Sequence, residues 1–223
     1  MAWGAVPMGD EHERSPEDPK EIVARGYDRI AERYVAWSSG ETDGPRGRYL
    51  SLLEEWLPPG ARVLELGCGT GALTTARLAA RFTVTGVDIS RRSLELGRRQ
   101  IPGATFVQGE MARLELPPAS VDAVTAFYAI TDVPREEHAA LLRQIARWLR
   151  PGGLLVASMG ASSAAGGIDD DWLGVPMYFS QFDAVENERL VRDAGFTVRS
   201  ARVETTNEDG APVPFLWVVA EAP

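Results

Sequence analysis

The sequence has 223 residues, 44% hydrophobic and 25% charged, with a formal net charge of −9 at pH 7. This length and composition are typical of one globular domain. The negative charge disfavours a general nucleic-acid binder, which needs a basic face. No apolar run approaches the roughly 18 residues of a membrane span, so we predict no membrane segment and a cytoplasmic location. The single cysteine, Cys68, excludes an internal disulfide, and with only two histidines a metal site is not expected.

Two helices are predicted before the first strand. Residues 1–19 are polar without periodicity, so we predict that they are disordered. Apolar stripes predict a helix from Pro19 to Trp37 and a second one from Arg48 to Leu57. Helices that precede the first strand cannot belong to an alternating unit. We therefore expect residues 20–57 to cap the edge or top of a sheet, within a single domain that spans residues 20–223.

Strands and helices alternate through the rest of the chain. Apolar or β-branched runs predict strands at 62–66, 83–88, 104–108, 121–129 and 154–159. Helices are predicted at 70–80, 90–100, 134–150 and 183–194. This alternation predicts an α/β fold with a doubly wound, mostly parallel sheet. The last two strands, 196–205 and 215–220, are joined by a short polar turn at 207–214, which predicts an antiparallel pair.

The glycine turn follows the first strand directly. Gly67, Gly69 and Gly71 are spaced G-x-G-x-G, and Glu65 precedes them. Glycines let the backbone turn sharply and approach a ligand closely. The next strand ends at Asp88, whose carboxylate suits the two hydroxyls of a ribose. The dinucleotide fingerprint G-x-G-x-x-G places its third glycine one residue later, and Glu65 would repel a pyrophosphate, so these residues favour a nucleoside with a positive group.

Val63 to Gly71, with Asp88, resemble the first two motifs of class I S-adenosylmethionine-dependent methyltransferases. The resemblance runs from about Tyr27 to Phe196 and is strongest to small-molecule, ubiquinone-biosynthesis-like members. It implies a seven-stranded sheet of order 3-2-1-4-5-7-6 with the last strand antiparallel. It also implies S-adenosylmethionine as cofactor, S-adenosylhomocysteine as product, and an oxygen, nitrogen or carbon acceptor in a small molecule, often a secondary metabolite. Protein and RNA substrates fit less well, because the chain is acidic and shows no added recognition domain.

The resemblance also implies which residues bind the cofactor. The set comprises Tyr34, Glu65, Gly67, Cys68, Gly69, Gly71, Asp88, Ile89, Glu110, Met111 and Phe127. Within it, Asp88 takes the ribose, and Glu110 accepts from the adenine amino group. Tyr34, or else Tyr27, reaches the methionyl end. Alternatives stay open: both tyrosines could belong to the core, Glu110 could lie in solvent, and Asp88 could cap the next helix, although Ser90 is better placed for that role.

The segment after the fourth strand supplies the catalytic candidates. The resemblance places Phe127 to Asp132 between the methionyl group and the acceptor. Asp132, Tyr128 and His138 are the candidates for removing a proton from the acceptor. Many relatives carry a histidine near the position of Asp132, so its absence weakens any inference of a histidine base. For Asp132 we favour a helix cap near Pro134, and for His138 an exposed position in that helix.

Residues 160–180 interrupt the alternation. Trp172, Met177, Tyr178 and Phe179 are concentrated there in what reads as an irregular, lid-like insertion, and with Tyr27 they are the candidate substrate-binding residues. Cover for the core explains the same side chains equally well. Two other functions also stay open: a cyclase-like or regulatory module that binds the cofactor without methyl transfer, and, less favoured, a nicotinamide oxidoreductase. The sequence predicts no oligomeric state.

Overall fold

The computed structural model describes residues 17–38, 44–208 and 211–223. Its helices are α1 (Pro19–Ser38), α2 (Pro45–Trp56), α3 (Thr75–Ala79), α4 (Arg91–Gln100), α5 (Arg135–Trp148) and α6 (Ala184–Asp193). Its strands are β1 (Arg62–Leu66), β2 (Thr83–Asp88), β3 (Thr105–Gln108), β4 (Val121–Ala126), β5 (Leu149–Gly160), β6 (Ala164–Trp172), β7 (Val175–Gln181), β8 (Thr197–Glu208) and β9 (Ala211–Glu221). Residues 1–19 were predicted to be disordered. Of these, residues 1–16 lie outside the described residues, and α1 begins at Pro19.

Seven strands form one sheet in the order β3-β2-β1-β4-β5-β9-β8. The pairs from β3 to β5 are parallel, whereas β9 is antiparallel to both β5 and β8. This order confirms the predicted α/β fold and its reversed last strand. Neighbouring residues of β1 point to opposite faces: Leu64 packs in the cluster with Ile145 of α5, and Val63 packs in the cluster with Leu53 of α2.

Several predicted boundaries are wrong: β4 ends at Ala126 rather than 129, and α5 ends before Leu149, where β5 begins five residues earlier than predicted. The helix predicted at 70–80 is only the single turn α3, because the glycine turn continues irregularly to Thr74. The second helix begins at Pro45, three residues earlier than predicted, because proline suits the first helical position. The polar turn predicted at 207–214 is mostly strand, since β8 and β9 stay paired as far as Glu208 and Ala211.

The prolines of β9 explain why residues 207–214 were predicted to form a turn. Pro212 and Pro214 interrupt the sequence pattern, and proline lacks the N–H that a central strand needs. However, β9 pairs with β5 only as far as Phe215, and beyond that point only β8 lies beside it. In this outer part β9 is an edge strand, where a proline is tolerated.

Residues 164–181 are a β-hairpin, so the prediction of an irregular stretch is wrong. Strands β6 and β7 pair antiparallel around a tight turn, in which Leu173 and Gly174 both have positive φ angles, of 48° and 81°. The hairpin packs on α1: a Cβ atom at Gly26 would lie 2.6 Å from Cε of Met177. Glycines and alanines at the start of β6 conceal the strand pattern from sequence analysis.

Helix α1 lies over the carboxyl ends of the strands. Oδ1 of Asp28 accepts hydrogen bonds from Oγ of Ser90, at 2.7 Å, and from the backbone N–H of Arg92, at 2.9 Å. Ser90 in turn caps α4, as predicted, and accepts from the N–H of Ser93. These bonds fix α1 above the end of β2, at the edge where open α/β sheets bind their ligands.

Candidate cofactor and acceptor site

A cleft of about 710 Å³ lies between α1 and the ends of β1, β2 and β4, and we call it the cofactor cleft. Eight of the predicted cofactor residues line it: Tyr34, Gly67, Gly69, Asp88, Ile89, Glu110, Met111 and Phe127. Lys20 and Val23 of α1 close it from above, and Tyr27, Tyr128 and Asp132 line it as well.

The glycine turn has the backbone that its sequence requires. Gly67, Gly69 and Gly71 have φ angles of 66°, 55° and 73°, which side-chain-bearing residues rarely adopt. A Cβ atom at Gly67 would lie 2.2 Å from Cβ of Ala129, whereas one at Gly69 would meet nothing within 4 Å. The first glycine is therefore required for close packing as well as for backbone conformation.

Asp88 links the end of β2 to the glycine turn. Its Oδ2 accepts from the backbone N–H of Gly69 at 2.7 Å, and its Oδ1 accepts from that of Ser90 at 2.8 Å. The carboxyl is buried, and this burial raises its pKa to about 6 even though both bonds oppose the shift. A carboxylate can accept about four hydrogen bonds, so it keeps capacity for further donors in the cleft.

A second space of about 420 Å³, the glycine-turn pocket, continues from the cofactor cleft. It is lined by the remaining predicted cofactor residues, Glu65, Cys68 and Gly71. Oγ1 of Thr75 donates to Oε2 of Glu65 at 2.5 Å, and burial raises the pKa of this carboxyl to about 8. The buried Arg46 also lines the pocket, so a guanidinium and a carboxyl are both present there.

Glu110 lies in an ion-pair network rather than in solvent. Nζ of Lys20 contacts its Oε1, and Nε of Arg113 lies 3.1 Å from its Oε2. Lys20 also reaches Oε2 of Glu137 on α5, at 2.7 Å. The alternative of a solvated Glu110 is therefore wrong, because only 16% of its side chain is exposed. The network holds the start of α1 against the mouth of the cofactor cleft.

A third space of about 990 Å³, the aromatic pocket, lies toward the C-terminal end of α1. Its walls come from α1, α2, the β6–β7 hairpin and β9. Its lining includes Trp37, Arg46, Thr131, Trp172, Phe179, Gln181 and Phe215. Tyr27, Tyr34 and Tyr128 line both this pocket and the cofactor cleft. The two spaces therefore meet at three tyrosine rings.

The predicted substrate residues divide into two groups. Trp172 and Phe179 line the aromatic pocket and pack edge to face, with ring centroids 5.4 Å apart. Trp172 also contacts Tyr27, at 5.8 Å between centroids. Met177 and Tyr178, in contrast, are buried against α1 and line none of the three spaces. For these two residues the structure favours cover for the core over contact with a substrate.

Asp132 does not cap α5, so that preferred alternative is wrong. The cap position is Pro134, without a side-chain hydrogen bond. Oδ2 of Asp132 instead accepts from the phenol of Tyr27 at 3.0 Å. Burial raises the pKa of Asp132 well above its usual range, and the negative charge of Asp88 adds to the shift, while the bond from Tyr27 opposes it.

His138 is not exposed, and this prediction is also wrong. Only 1% of the residue is accessible, and its Nε2 lies 2.9 Å from the carbonyl oxygen of Val133. Burial lowers the pKa of its imidazole, which favours the neutral ring. Because His138 lines neither the cofactor cleft nor the aromatic pocket, its geometry gives no support to a catalytic role.

Tyr128 stands at the junction in an unusual backbone conformation. Its φ angle is 58°, and its N–H donates to Oγ of Ser158 at 2.6 Å. The guanidinium of Arg46 lies 4.9 Å from the centre of its ring. Arg46 was not among the predicted site residues, because it precedes Arg48, where the second helix was predicted to begin. A φ of this kind in a tyrosine is rare and is found at functional sites more often than elsewhere.

The fold and the site together define an α/β protein with a cleft at its glycine turn, at the carboxyl ends of the parallel strands. Residues 63–153 match the family model of the methyltransferase domain. A demethylmenaquinone methyltransferase of Symbiobacterium thermophilum is 32% identical over 156 residues, which cover 64% of this chain and 60% of the relative. A trans-aconitate 2-methyltransferase of Methylobacterium nodulans is 39% identical over 102 residues, which cover 44% of this chain and 38% of the relative.

A solved structure matches over nearly the whole chain. The magnesium protoporphyrin IX methyltransferase of Synechocystis, crystallised with bound S-adenosylmethionine, superposes with a TM-score of 0.72 at 18% identity, covering 94% of this chain and all of that one. This chain has the fold of that enzyme and, over residues 63–153, is similar in sequence to the methyltransferase domain. It spans about three fifths of the length of the first curated relatives that it matches. Among the described residues, no helix has the length and apolar character needed to cross a bilayer.

Proposed function

We propose that this protein transfers the methyl group of S-adenosylmethionine to a small-molecule acceptor. The observation that carries the proposal is the meeting of the cofactor cleft and the aromatic pocket at Tyr27, Tyr34 and Tyr128. A cofactor in the first space and an acceptor in the second would face each other there. The relatives named for demethylmenaquinone and trans-aconitate support a small-molecule acceptor. Restriction to secondary metabolites and the cytoplasmic location stay predictions from the sequence.

The described residues fit the cofactor. Asp88 would accept from the ribose hydroxyls, and Ile89 and Met111 lie along the same cleft to hold the adenine. The amino-acid end carries an ammonium and a carboxylate, and the glycine-turn pocket offers Glu65 for the first and Arg46 for the second. Asp88, Asp132 and Glu65 are buried carboxyls with raised pKa values, an arrangement that suits a cationic ligand.

When bound, the cofactor supplies an electrophilic methyl group, and the chain contributes alignment. Positioning of two reactants is worth roughly 7–11 kcal/mol in intramolecular analogies. Tyr34 and Tyr128 would orient the acceptor at the junction, while the rings of Trp172 and Phe179 hold its flat part. Closure of the rings around the reacting groups also keeps out water, which strengthens every charge interaction inside.

A dinucleotide fits less well. Pyrophosphate sites use the N-terminus of a helix that follows the glycine turn directly. Here α3 begins only at Thr75, four residues after Gly71, and has a single turn. The acid Glu65 lies beneath the same turn. These features favour the methyltransferase proposal over a nicotinamide oxidoreductase.

Transfer of labelled methyl tests the proposal. The protein is incubated with S-adenosylmethionine deuterated in the methyl group and with sets of hydroxyaromatics, carboxylic acids and amines. We expect one acceptor class to gain the labelled methyl with equimolar S-adenosylhomocysteine, and Asp88→Ala to lose this activity. Cofactor binding without transfer to any acceptor would favour the cyclase-like or regulatory alternative. Oxidation of a reduced nicotinamide dinucleotide would favour the oxidoreductase.

A further inference from the structure

The junction between the two spaces contains a phenol and a carboxyl in direct contact. The phenol of Tyr27 donates to Oδ2 of Asp132 at 3.0 Å. Asp132 lines the cofactor cleft but not the aromatic pocket, whereas Tyr27 lines both. A molecule in the aromatic pocket therefore reaches Asp132 by way of Tyr27.

We propose that Tyr27 and Asp132 form a proton-accepting dyad, in which Tyr27 takes the acceptor's proton while its own proton passes to Asp132. The inference rests on the proposed methyl transfer and assigns a residue to the step that weakly acidic acceptors require. It also narrows the substrate class to acceptors with an O–H or N–H nucleophile. Such proton transfer contributes about 10²–10⁴-fold to a reaction rate.

The second oxygen of Asp132 strengthens the assignment. Its Oδ1 is buried and has no hydrogen-bond partner among the described residues. A buried carboxyl oxygen without a partner carries a desolvation cost, so a protein retains it for a reason such as function. A carboxyl in this environment holds a proton readily, which is the property that a terminal proton acceptor needs.

The rings around Tyr27 fix the phenol in place. Its ring packs edge to face against Tyr34 and Trp172, with centroids 5.5 and 5.8 Å away. The groups that face the dyad are Tyr34 from α1 and Asp88 from β2, while His138 of α5 is bonded to the neighbouring Val133. Lys20 and Glu110 form an ion pair within the same cleft, so the pair itself adds little net charge beside the dyad.

The proposed proton step conserves atoms, electrons and charge. The acceptor's O–H or N–H bond breaks, and its proton goes to the oxygen of Tyr27. The phenolic proton of Tyr27 goes to Oδ2 of Asp132, which changes from carboxylate to carboxylic acid. The electron pair left on the acceptor forms the bond to the methyl carbon, and the pair of the broken carbon–sulfur bond stays on sulfur. Tyr27 ends the step neutral.

The dyad needs Asp132 ionised when the reaction begins. Burial raises the pKa of Asp132, which disfavours the carboxylate. A positive charge at the junction favours the carboxylate. The cationic cofactor would therefore favour the ionised form of Asp132 before the reaction, whereas the uncharged thioether of the product would not.

Carbon-13 NMR tests this inference without an acceptor. With aspartate labelled at Cγ, the pKa of Asp132 is measured in two complexes. One contains S-adenosylhomocysteine, and the other contains sinefungin, which carries an ammonium group in place of the methyl-sulfonium. We expect a pKa lower by about one unit or more in the sinefungin complex. Asp132→Asn assigns the resonance by removing it.

Tyr27→Phe is the decisive variant. Loss of the phenolic donor should raise the pKa of Asp132 by about one unit in both complexes, since a hydrogen bond to a carboxylate favours its charged form. The matched control Tyr178→Phe, a buried tyrosine that lines neither space, should leave that pKa unchanged. Equal pKa values in the two complexes, or no change in Tyr27→Phe, would overturn the dyad alone. Failure of both ligands to bind would overturn the proposed function and the dyad together.

Kinetics give a second readout once an acceptor is known. Tyr27→Phe should lower kcat by about 10²–10⁴-fold for an O–H or N–H acceptor, with little change in the KM for the cofactor. In the wild type, kcat should fall at low pH as Asp132 becomes protonated. In Asp132→Asn, this dependence of kcat on pH should be absent. Loss of kcat with an unchanged profile would mean a merely structural role and would contradict the dyad.

Discussion

The cofactor side and the acceptor side of the site are built differently. The cofactor cleft is formed by the ends of neighbouring parallel strands, and its main polar group, Asp88, is held by two backbone N–H groups. The aromatic pocket is assembled from distant parts of the chain, from Tyr27 on α1 to Phe215 on β9, and its members contact one another mainly through rings.

This difference separates the expected effects of substitutions. Local backbone geometry determines the cofactor cleft, so changes there should abolish cofactor binding. Packing between distant elements determines the aromatic pocket, so changes there should alter acceptor binding and leave the cofactor in place. A solved structure of only 18% identity nevertheless has the same fold over almost the whole chain. The fold therefore tolerates wide variation in side chains.

The largest effect is expected from Gly67→Ala. The new Cβ would lie 2.2 Å from Cβ of Ala129, at a φ angle of 66°. Clash and backbone strain together should cost about 3 kcal/mol or more, so the Kd for S-adenosylhomocysteine should rise at least about 100-fold by calorimetry. The control Gly103→Ala adds a Cβ that meets nothing within 4 Å and should bind normally. Normal binding by Gly67→Ala would refute the close approach at the turn.

Trp172→Ala should separate the two sides of the site. Removal of this ring from the aromatic pocket should raise the acceptor KM by about 10–100-fold, since an aromatic contact of this kind contributes about 1–3 kcal/mol. The Kd for the cofactor should change less than about threefold. Ile168→Ala, an exposed residue of the same hairpin, serves as control. Equal losses of acceptor and cofactor binding would contradict the separation.

Cofactor binding should weaken at low pH. Burial raises the pKa of Asp88 to about 6, so the carboxylate that we propose as acceptor for the ribose is present above this value and is lost as the pH falls below it. The affinity should fall about tenfold for each pH unit below about 6. Calorimetry from about pH 5 to pH 8 measures this slope. The variant Asp88→Asn should lack it, and an equal slope in that variant would assign the titration to another group.

The smallest effect is expected from Lys20→Met. This change removes the ion pairs with Glu110 and Glu137, and the free energy of unfolding should fall by about 1–3 kcal/mol in urea denaturation. The cofactor Kd should rise less than about tenfold, because Lys20 contributes only to the rim of the cleft. The control Arg25→Met, on the same helix as Lys20, removes the exposed ion pair between Arg25 and Glu17. It should lower the free energy of unfolding by less than about 1 kcal/mol. Similar losses of unfolding free energy in both variants would show that the ion pairs of Lys20 stabilise the protein no more than an exposed ion pair does.

The sequence pattern predicted the parallel sheet, the family resemblance implied its strand order, and the two together identified the residues of the cofactor side. This succeeded because Gly67 and Asp88 follow strands directly, so their position in the fold comes from the strands themselves. The predicted cofactor residues all line the cofactor cleft or the glycine-turn pocket. Their roles toward the cofactor stay proposals.

The acceptor side could not be predicted in the same way. The β6–β7 hairpin was missed because its first strand is rich in glycine and alanine, and Arg46 was missed because nothing local marks it. His138 was predicted to be exposed because two glutamates precede it, yet α5 turns it into the interior. The contact between Tyr27 and Asp132 joins residues 105 positions apart, which no local pattern reveals.

Calorimetry of S-adenosylmethionine binding to wild type and Asp88→Ala tests the central proposal most directly. Loss of a charged acceptor for two ribose hydroxyls should cost about 3 kcal/mol, so we expect micromolar binding by wild type and a Kd about 100-fold higher for the variant. A folded Asp88→Ala protein that binds as tightly as wild type would contradict the placement of the ribose. Absence of binding by wild type at millimolar cofactor would contradict the proposed function itself.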